Sequence, residues 1–384
     1  TPVYSLLNTN LTLNKIKIMR LRSLFMTALC ALAVIGGFTS CSDDDDYDDS
    51  WKEGSKVELP QYRAFILCEG TMGKNNSHLF FVDPTTDKPM AGDIYELQNG
   101  KKLGDTANDM IVEDGYIYIV MNVSKRLVKL NGSGVELASY SFDDELGEPR
   151  KVIEEDGKLY VTTYGGYVAR FDAQTLAYEA RVRVDANPEE IIEHDGYLYC
   201  VNSGLGSGNT ISAINISTFT SSESYKTLDN PYSIFEEDDR IYVVAHGFYD
   251  PITWEHTEAV GIFNPHTHVT TLLEGQHPTN VIAVDNTLYM TTSTSPDWVS
   301  YTTTFSKCNV LTGETSEWTL TNAPAELTSG NVYMLERNPY DGSFYIATSD
   351  YATDSPVYHF DRNGKYIGKF SAGGICPNSM LFIR

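Results

Sequence analysis

Residues 149–163 read PRKVIEEDGKLYVTT, and residues 188–202 read PEEIIEHDGYLYCVN. Each stretch consists of a short run introduced by Pro, an Asp-Gly turn, and a second run in which Tyr is flanked by apolar residues. Asp-Gly favours a two-residue hairpin, because both positions of such a turn need a positive φ that these residues accept. Both stretches therefore predict a pair of antiparallel strands joined by a tight turn.

The same two-run unit recurs along the chain. The second run, which we call the Tyr-type run, has seven copies, at residues 64–67, 116–119, 158–161, 197–200, 240–243, 287–290 and 343–346. The run before it begins at residues 107, 149, 188, 231, 278, 330 and 377, so consecutive units are 39 to 52 residues apart. This period, with several short strands per unit, is typical of β-propeller blades. The sequence predicts an all-β fold, a seven-bladed β-propeller; a β-solenoid is the alternative, although its repeats are usually shorter.

The two ends of the repeat array complement each other. The copy at residues 64–67 has no Pro-led run before it, and the run at residues 377–383 has no Tyr-type run after it. The C-terminal run is therefore predicted to supply the inner strand of the blade that begins at Arg63. This pairing would close the ring and cover both open strand edges.

The charge of the chain limits its partners. Its 384 residues include 28 Lys and Arg against 52 Asp and Glu, which gives a formal net charge of −24. Hydrophobic residues make up 41% of the chain, enough to bury a large core, so the composition excludes disorder of the whole chain. Nucleic acids and anionic membrane surfaces attract clustered Lys and Arg. The composition therefore indicates no nucleic-acid partner.

The first forty residues have the features of an export signal. Met19 is interpreted as the start of translation, which makes residues 1–18 an extension that is untranslated or an artefact. Arg20 and Arg22, followed by the apolar run 24–38, predict a lipoprotein signal peptide over residues 19–40. A transmembrane anchor is the alternative, but the run is short against the roughly 20 residues that a span needs.

Cys41 is the predicted lipidation site, because the residues before it, FTS, resemble those of a lipoprotein cleavage box. The run of Asp that follows resembles the surface-export signal of outer-membrane lipoproteins in Bacteroidetes-type bacteria. Residues 41–60 are interpreted as a flexible acidic tether, and residues 61–384 as the propeller. We therefore expect a lipid anchor that holds the protein at the outer membrane, facing the cell exterior.

Four cysteines lie in the predicted propeller: Cys68, Cys200, Cys308 and Cys376. Closure of the ring would place Cys68, at the end of one strand, near Cys376, just before the strand that pairs with it. We predict that these two residues form a disulfide that fastens the ring, which requires their Cα atoms to lie within about 7 Å. Cys200 lies in a core strand and is expected to be a small apolar filler.

Motifs for catalysis are largely absent. The sequence has no Gly-x-Ser-x-Gly elbow and no phosphate-binding Gly-Lys-Ser/Thr loop, and His266 and His268 lie on a predicted turn without an evident third metal ligand. We predict no catalytic residue, no metal site and no enzymatic activity. The alternative is a metal-dependent, lactonase-like hydrolase in the channel. Its ligands would be polar residues at the starts of inner strands: Asn108, Asp109, Glu189, Glu190 and Asn280.

Loops rich in aromatic residues supply the candidates for ligand binding. In a propeller, loops between second and third strands share a face with loops that enter the inner strands, and both surround the central channel. Aromatic side chains there offer rigid contact area for a large planar or sugar-like ligand. The candidates, together with Arg150 at the start of an inner strand, are Tyr164, Tyr167, His246, Phe248, Tyr249, Trp254, Trp298, Tyr301 and Tyr351. Alternatively, the same side chains pack the long loops onto the propeller.

The export signal, the Asp run and the seven repeats together resemble the YncE-like or "surface layer protein" propeller lipoproteins of gut Bacteroidetes, over residues 41–384. One branch of that family, the BtuG-type proteins, binds vitamin B12 at the cell surface and passes it to a TonB-dependent outer-membrane transporter. The resemblance implies a surface lipoprotein that binds a small molecule, with a corrinoid as the candidate, and assists its uptake. It implies no cofactor other than that ligand. A protein or glycan adhesin that uses the same face is a further alternative.

Overall fold

The computed structural model of this protein describes residues 49–253 and 255–384. They form seven four-stranded antiparallel sheets. Six sheets are built from four strands that follow one another along the chain, whereas the sheet that begins at Arg63 also contains the last strand. The sheets are the blades of a ring, so the predicted seven-bladed β-propeller is confirmed.

The strands are numbered in chain order, and each blade is given from its inner to its outermost strand. Blade 1 contains β28 (Pro377–Ile383), β1 (Arg63–Cys68), β2 (His78–Asp83) and β3 (Lys88–Pro89); blade 2, β4 (Ala107–Glu113), β5 (Tyr116–Met121), β6 (Arg126–Leu130) and β7 (Glu136–Ser141); blade 3, β8 (Pro149–Glu155), β9 (Lys158–Thr163), β10 (Tyr167–Asp172) and β11 (Tyr178–Arg183); blade 4, β12 (Pro188–His194), β13 (Tyr197–Asn202), β14 (Thr210–Asn215) and β15 (Ser222–Lys226).

The remaining elements complete the ring. Blade 5 contains β16 (Pro231–Glu237), β17 (Arg240–Ala245), β18 (Ala259–Asn264) and β19 (Val269–Leu272); blade 6, β20 (Asn280–Val284), β21 (Thr287–Thr294), β22 (Thr302–Asn309) and β23 (Thr315–Glu317); blade 7, β24 (Val332–Arg337), β25 (Phe344–Thr348), β26 (Pro356–Phe360) and β27 (Tyr366–Ser371). The helices are a 3-10 turn (Asp49–Lys52), α1 (Ile94–Asn99) and α2 (Ala325–Thr328).

The C-terminal strand closes the ring. β28 is antiparallel to β1, with Arg63 opposite Ile383. It also contacts β4 and β24, the inner strands of blades 2 and 7. Met380 and Phe382 are buried in the hydrophobic cluster between blades 1 and 7, and Ile383 in the cluster between blades 1 and 2. The predicted closure is therefore confirmed, and the last strand belongs to both neighbouring interfaces.

The Tyr of each repeat packs between blades, which explains why it recurs. Tyr118 and Tyr160 are almost fully buried in the clusters that join their blades to the next ones. The Tyr118 hydroxyl donates to the carbonyl of Ala173 in blade 3 at 2.9 Å, so the phenol ring fills the gap while its polar end is satisfied. The Asp-Gly turn has its expected geometry, with φ of 49° at Asp114 and 77° at Gly115.

Residues 49–60 belong to the folded unit rather than to a flexible tether. The buried guanidinium of Arg63 lies 3.6 Å from the centre of the Trp51 ring, and its Nε donates to the carbonyl of Gly132 at 2.6 Å. Asn131 donates to the carbonyl of Glu53 at 2.9 Å. The predicted boundary between residues 60 and 61 is therefore too late, because Trp51 covers a buried cation that the propeller alone would leave uncovered.

Trp51→Ala is expected to lower the free energy of unfolding by about 2 kcal/mol, because it removes the aromatic cover of the Arg63 guanidinium. The measurement is urea unfolding of residues 42–384, followed by circular dichroism. Lys52→Ala is the matched control, since Lys52 makes a surface ion pair with Asp49 that is worth less than about 1 kcal/mol. Equal stability of the two variants would show that Trp51 does not anchor this segment.

The predicted disulfide between Cys68 and Cys376 is not formed in the structure. Their backbones are adjacent, since the Glu69 N–H donates to the carbonyl of Cys376 at 2.9 Å. However, the Cys68 thiol faces the carbonyl of Ala372, and the Cys376 thiol faces the hydroxyl of Ser349. Cys376 lies just before β28, as predicted, in a left-handed backbone conformation with a φ of +56°. Both are buried free thiols, and burial raises the pKa of each.

The predicted signal peptide, the lipidation site Cys41, the tether up to residue 48 and the loop residue Trp254 lie outside the described residues. Among the helices that the structure does describe, none is long and apolar enough to cross a membrane. The lipid anchor and the outer-membrane location therefore stay predictions from the sequence.

Candidate functional site

All seven inner strands line a cavity of about 790 Å³ on the propeller axis. Each inner strand is antiparallel to its second strand, as where Pro231 is opposite Ala245 at the end of β17. The starts of the inner strands therefore lie at the same end as the loops that join second to third strands. We call this end the channel mouth. Glu69, His246 and Tyr351 reach the cavity from these loops.

A salt bridge with aromatic cover lies at the mouth. Nε of Arg150 is 2.5 Å from one carboxylate oxygen of Glu189, on the next inner strand. The other oxygen accepts from the hydroxyls of Tyr164 at 3.1 Å and Ser203 at 2.8 Å. Burial acts to lower the pKa of Arg150, but Glu189, Tyr164 and Glu69 outweigh it and raise that pKa. The mouth therefore presents a guanidinium of fixed charge and orientation.

Glu69 is held at the mouth by two neighbours. The Tyr333 hydroxyl donates to one carboxylate oxygen at 2.6 Å, and Nδ2 of Asn108 donates to the other at 3.1 Å. The Tyr333 ring lies edge-on to that of Tyr351, with 5.8 Å between centres. This part of the mouth therefore combines an oriented carboxylate with two aromatic rings.

His246 is the first residue after β17, and it lines the cavity. Its ring is stacked on that of Tyr232, with 4.0 Å between centres and 15° between planes. The Tyr232 hydroxyl donates to the carbonyl of Thr279 at 3.0 Å, which fixes the pair between blades 5 and 6. Burial, and then His256 and Arg150, lower the pKa of His246 to about 4. The imidazole is therefore neutral at neutral pH.

Deeper in the channel, an ammonium lies between two carboxylates. Nζ of Lys151 is 3.3 Å from Asp109 and 3.8 Å from Glu190. Burial acts to lower the pKa of Lys151, but the two carboxylates outweigh it and raise that pKa. The alternative hydrolase would use Asp109 and Glu190 as metal ligands. In the structure, the Lys151 ammonium lies beside both carboxylates. Across residues 49–253 and 255–384, no three His, Cys, Asp or Glu side chains are grouped so that they could hold a metal ion.

A second pocket, of about 490 Å³, adjoins the mouth at blades 6 and 7. Trp298 and Tyr301 line it, and it shares Asn331 and Tyr351 with the lining of the channel. Asn331 donates to the Tyr351 hydroxyl at 2.9 Å, which fixes the wall between the two spaces. The Trp298 side chain is 68% exposed and that of Tyr351 50% exposed, so both have faces open to a ligand.

The predicted binding residues fall into groups. Those that line one of the two spaces are Arg150, His246, Trp298, Tyr301 and Tyr351. Tyr164 lies behind them and contacts Glu189. Phe248 and Tyr249 are exposed on the loop after β17, where Tyr249 packs on His256 with 4.4 Å between ring centres. The predicted residues of the loop face thus divide into side chains that line the two spaces and side chains that pack the loops.

Tyr167 lies at the mouth end of blade 3 but lines neither the channel nor the second pocket. It is the first residue of β10 and is opposite Arg183 on β11, the outermost strand of blade 3. Its ring contacts two guanidiniums, that of Arg181 at 4.5 Å and that of Arg183 at 4.9 Å from the ring centre. The tight Gly165-Gly166 turn returns the chain at once to the outer strands, so the structure corrects the predicted place of Tyr167.

Three residues at the mouth were not predicted from the sequence. Tyr232 and Tyr333 are the second residues of their inner strands, the same position as Arg150, so the repeat itself carried a usable signal. Glu69 directly follows β1 and has no aromatic loop to mark it. The second residue of these inner strands is therefore a better guide to the mouth than the long loops are.

Comparisons with known proteins bear on the fold. No protein-family model matches the chain, and no curated protein matches it. Similar solved structures include a functionally unknown protein from Desulfotomaculum acetoxidans DSM 771, with a TM-score of 0.55 and 13% identity over 84% of this chain and 98% of that chain. Apo AztD from Citrobacter koseri has a TM-score of 0.50 and 10% identity over 85% of this chain and 98% of its own.

A third similar structure is the dihydro-heme d1 dehydrogenase NirN in complex with DHE, with a TM-score of 0.53 and 11% identity over 85% of this chain and 76% of that chain. The fold is a seven-bladed β-propeller. Identities this low show the fold alone. The resemblance to YncE-like and BtuG-type proteins therefore stays a prediction from the sequence.

Proposed function

We propose that this protein binds a small molecule with a large planar face, with a corrinoid as the candidate, at the channel mouth, and that it catalyses no reaction. The observation that carries the proposal is that two open spaces, of about 790 and 490 Å³, meet at a mouth with both aromatic faces and oriented polar groups. Small-molecule sites are concavities of about 300–1,000 Å³ with apolar walls and a few fixed polar groups. The two spaces have volumes in this range, and their lining combines aromatic rings with fixed polar and charged groups.

The side chains at the mouth divide into two roles. Trp298 and Tyr351 would supply contact area, since each has a large exposed ring beside the wall that separates the spaces. Arg150 would donate to amide or phosphate oxygens of the ligand, and Glu69 would accept from amide N–H groups. Because these polar groups are already oriented by neighbours in a rigid ring, binding would cost little ordering of the protein.

The cellular location belongs to the same proposal. The signal over residues 19–40, Cys41 and the Asp run support a lipid anchor at the outer membrane with the propeller facing the exterior. The ligand would then be passed to a TonB-dependent transporter, as the resemblance to BtuG-type proteins suggests. The protein would thus capture its ligand outside the cell and assist its uptake.

The direct test mixes residues 42–384 with cyanocobalamin, removes the free ligand by desalting, and records the visible spectrum and the Trp emission. We expect the colour to stay with the protein and the emission to be quenched, because Trp298 lines the site. A colourless protein with unchanged emission would contradict the corrinoid proposal.

Tyr351→Ala is expected to weaken cyanocobalamin binding about tenfold, because it removes an aromatic face that both spaces share. Isothermal titration calorimetry would measure the change. Tyr197→Ala is the matched control: Tyr197 is 41% exposed but begins β13, at the end of the propeller opposite the mouth. Similar losses in both variants would indicate that binding is not specific to the mouth.

A further inference from the structure

His246 differs from other histidines of the described chain in its lack of a polar partner. Among residues 49–253 and 255–384, none forms a hydrogen bond or ion pair with either of its ring nitrogens. His266 and His268 lie on the exposed turn at residues 264–268. Each of the remaining histidines has a polar partner: His78 with Asp93, His194 with Glu236, His256 with Glu258, His277 with the Glu258 carbonyl and His359 with Asp87. His246 is thus available to contact whatever occupies the cavity that it lines.

The imidazole of His246 is held in place from two sides. The stacked Tyr232 ring covers one face and sets its plane. The backbone N–H of His246 donates to the carbonyl of Asn230 at 3.0 Å, which ties the residue to the start of the inner strand of blade 5. A side chain that is fixed but has no polar partner is preorganised for a ligand.

The charge state suits a nitrogen ligand. Because burial, His256 and Arg150 lower the pKa of His246 to about 4, the ring is neutral over the physiological range. One nitrogen of a neutral imidazole carries an in-plane lone pair, and that nitrogen is a common ligand of transition-metal ions. A protonated ring would have no such lone pair.

We propose that His246 is an axial ligand, one of whose ring nitrogens binds the metal ion of a planar metal chelate at the channel mouth. The inference rests on the proposed function, in which the chelate is a corrinoid and the metal is cobalt. In the exchange, the bond between cobalt and a coordinated water breaks, a bond between cobalt and the imidazole nitrogen forms, and the water leaves. No electron or proton is transferred. Tyr232 acts as a positioning residue that sets the plane of the ring.

The test compares two corrinoids with residues 42–384. Aquocobalamin has an exchangeable water on the cobalt, whereas cyanocobalamin holds cyanide there. We expect aquocobalamin, but not cyanocobalamin, to change its visible absorption bands on binding, and His246→Gln to abolish that change. The thermal unfolding of His246→Gln, followed by circular dichroism, should match that of the unmodified protein, which shows that the variant is folded.

His256→Gln is the matched control, because His256 lies near His246, with 6.3 Å between ring centres, but is paired with Glu258. It should keep the spectral change. Unchanged bands of aquocobalamin, or bands that change equally in His246→Gln, would overturn the axial role even if cyanocobalamin binds. Failure of cyanocobalamin to bind would instead overturn the proposed function.

Discussion

A chain that ends at Cys376 is expected not to fold. β28 supplies the inner strand of blade 1, and without it β1 would present an open edge to the channel. The truncation also removes Met380, Phe382 and Ile383 from the clusters on both sides of that blade. Each core truncation of this size costs about 2–5 kcal/mol, so the sum reaches the whole stability of a typical domain, about 5–15 kcal/mol.

The measurement is the circular dichroism spectrum and thermal unfolding of residues 42–376 and of residues 42–383. The longer chain lacks only the exposed Arg384 and keeps β28, so it should unfold as the full chain does. Phe382→Ala in the full chain is a graded version of the same test, with an expected loss of about 3 kcal/mol. Cooperative unfolding of residues 42–376 near the Tm of the full chain would contradict the role of β28 in closure.

The blades were predictable from the sequence because each one meets the same physical demands. Every unit needs a tight turn with positive φ and a Tyr-type strand that is buried between neighbours, so similar residues recur at similar spacing. The strand starts predicted at residues 149, 188, 231 and 377 agree with the structure, and those predicted at residues 278 and 330 lie two residues before Asn280 and Val332. The repeated pattern therefore predicts the fold even though no single unit would be sufficient to identify it.

Contacts that occur once left no such pattern. Trp51 packs on Arg63, and a Cβ at Gly132 would collide with that guanidinium, so the glycine makes room for it. No other unit repeats this arrangement, so the sequence contains no pattern that would reveal it. The acidic stretch before the first strand was therefore predicted to be a flexible tether. The pairing of β1 with β28 predicted that Cys68 and Cys376 would be neighbours, but the directions of their thiols depend on backbone angles that a sequence does not display.

The candidate site was predictable only in part, because the mouth depends on bulges. The pairing of inner and second strands shifts between Pro149 and Val152 in blade 3, and between Pro231 and Ser233 in blade 5. A bulge re-aims the side chain that it contains. Tyr232 therefore reaches the mouth from a position that strict strand alternation would not identify. His246, by contrast, was predicted because the loop after β17 is long and rich in aromatic residues.

The second large effect is expected on the pH dependence of stability, through Glu336. This residue is the fifth of the inner strand of blade 7 and lines the channel. Burial is the main cause that raises the pKa of Glu336 from 4.5 to about 8. The backbone N–H of Met380 and the charge of Lys151 lower this pKa, whereas the charges of Glu190 and Asp109 raise it further. The corresponding residues of the other blades are all apolar: Ile111, Ile153, Ile192, Phe235, Ile282 and Leu381.

The sign of the effect follows from the raised pKa. Between pH 4.5 and 8, the folded protein binds a proton on Glu336 that the unfolded chain has released. The contribution of this group to stability is therefore lost as the pH rises through that interval. A shift of this size corresponds to about 5 kcal/mol at about 1.4 kcal/mol per pKa unit. Because the carboxyl lines an open channel, solvent reduces the effect, and we expect about 3 kcal/mol.

Glu336→Gln keeps the shape of the protonated carboxyl but cannot ionise. The variant should match the unmodified protein at pH 5 and exceed its free energy of unfolding by about 3 kcal/mol at pH 9, as measured by urea unfolding at both values. Glu58→Gln, at an exposed carboxylate, is the matched control and should leave the pH dependence unchanged. If Glu336→Gln loses as much stability between pH 5 and pH 9 as the unmodified protein, Glu336 is ionised in the folded state, and the attraction of Lys151 outweighs the burial of the carboxyl.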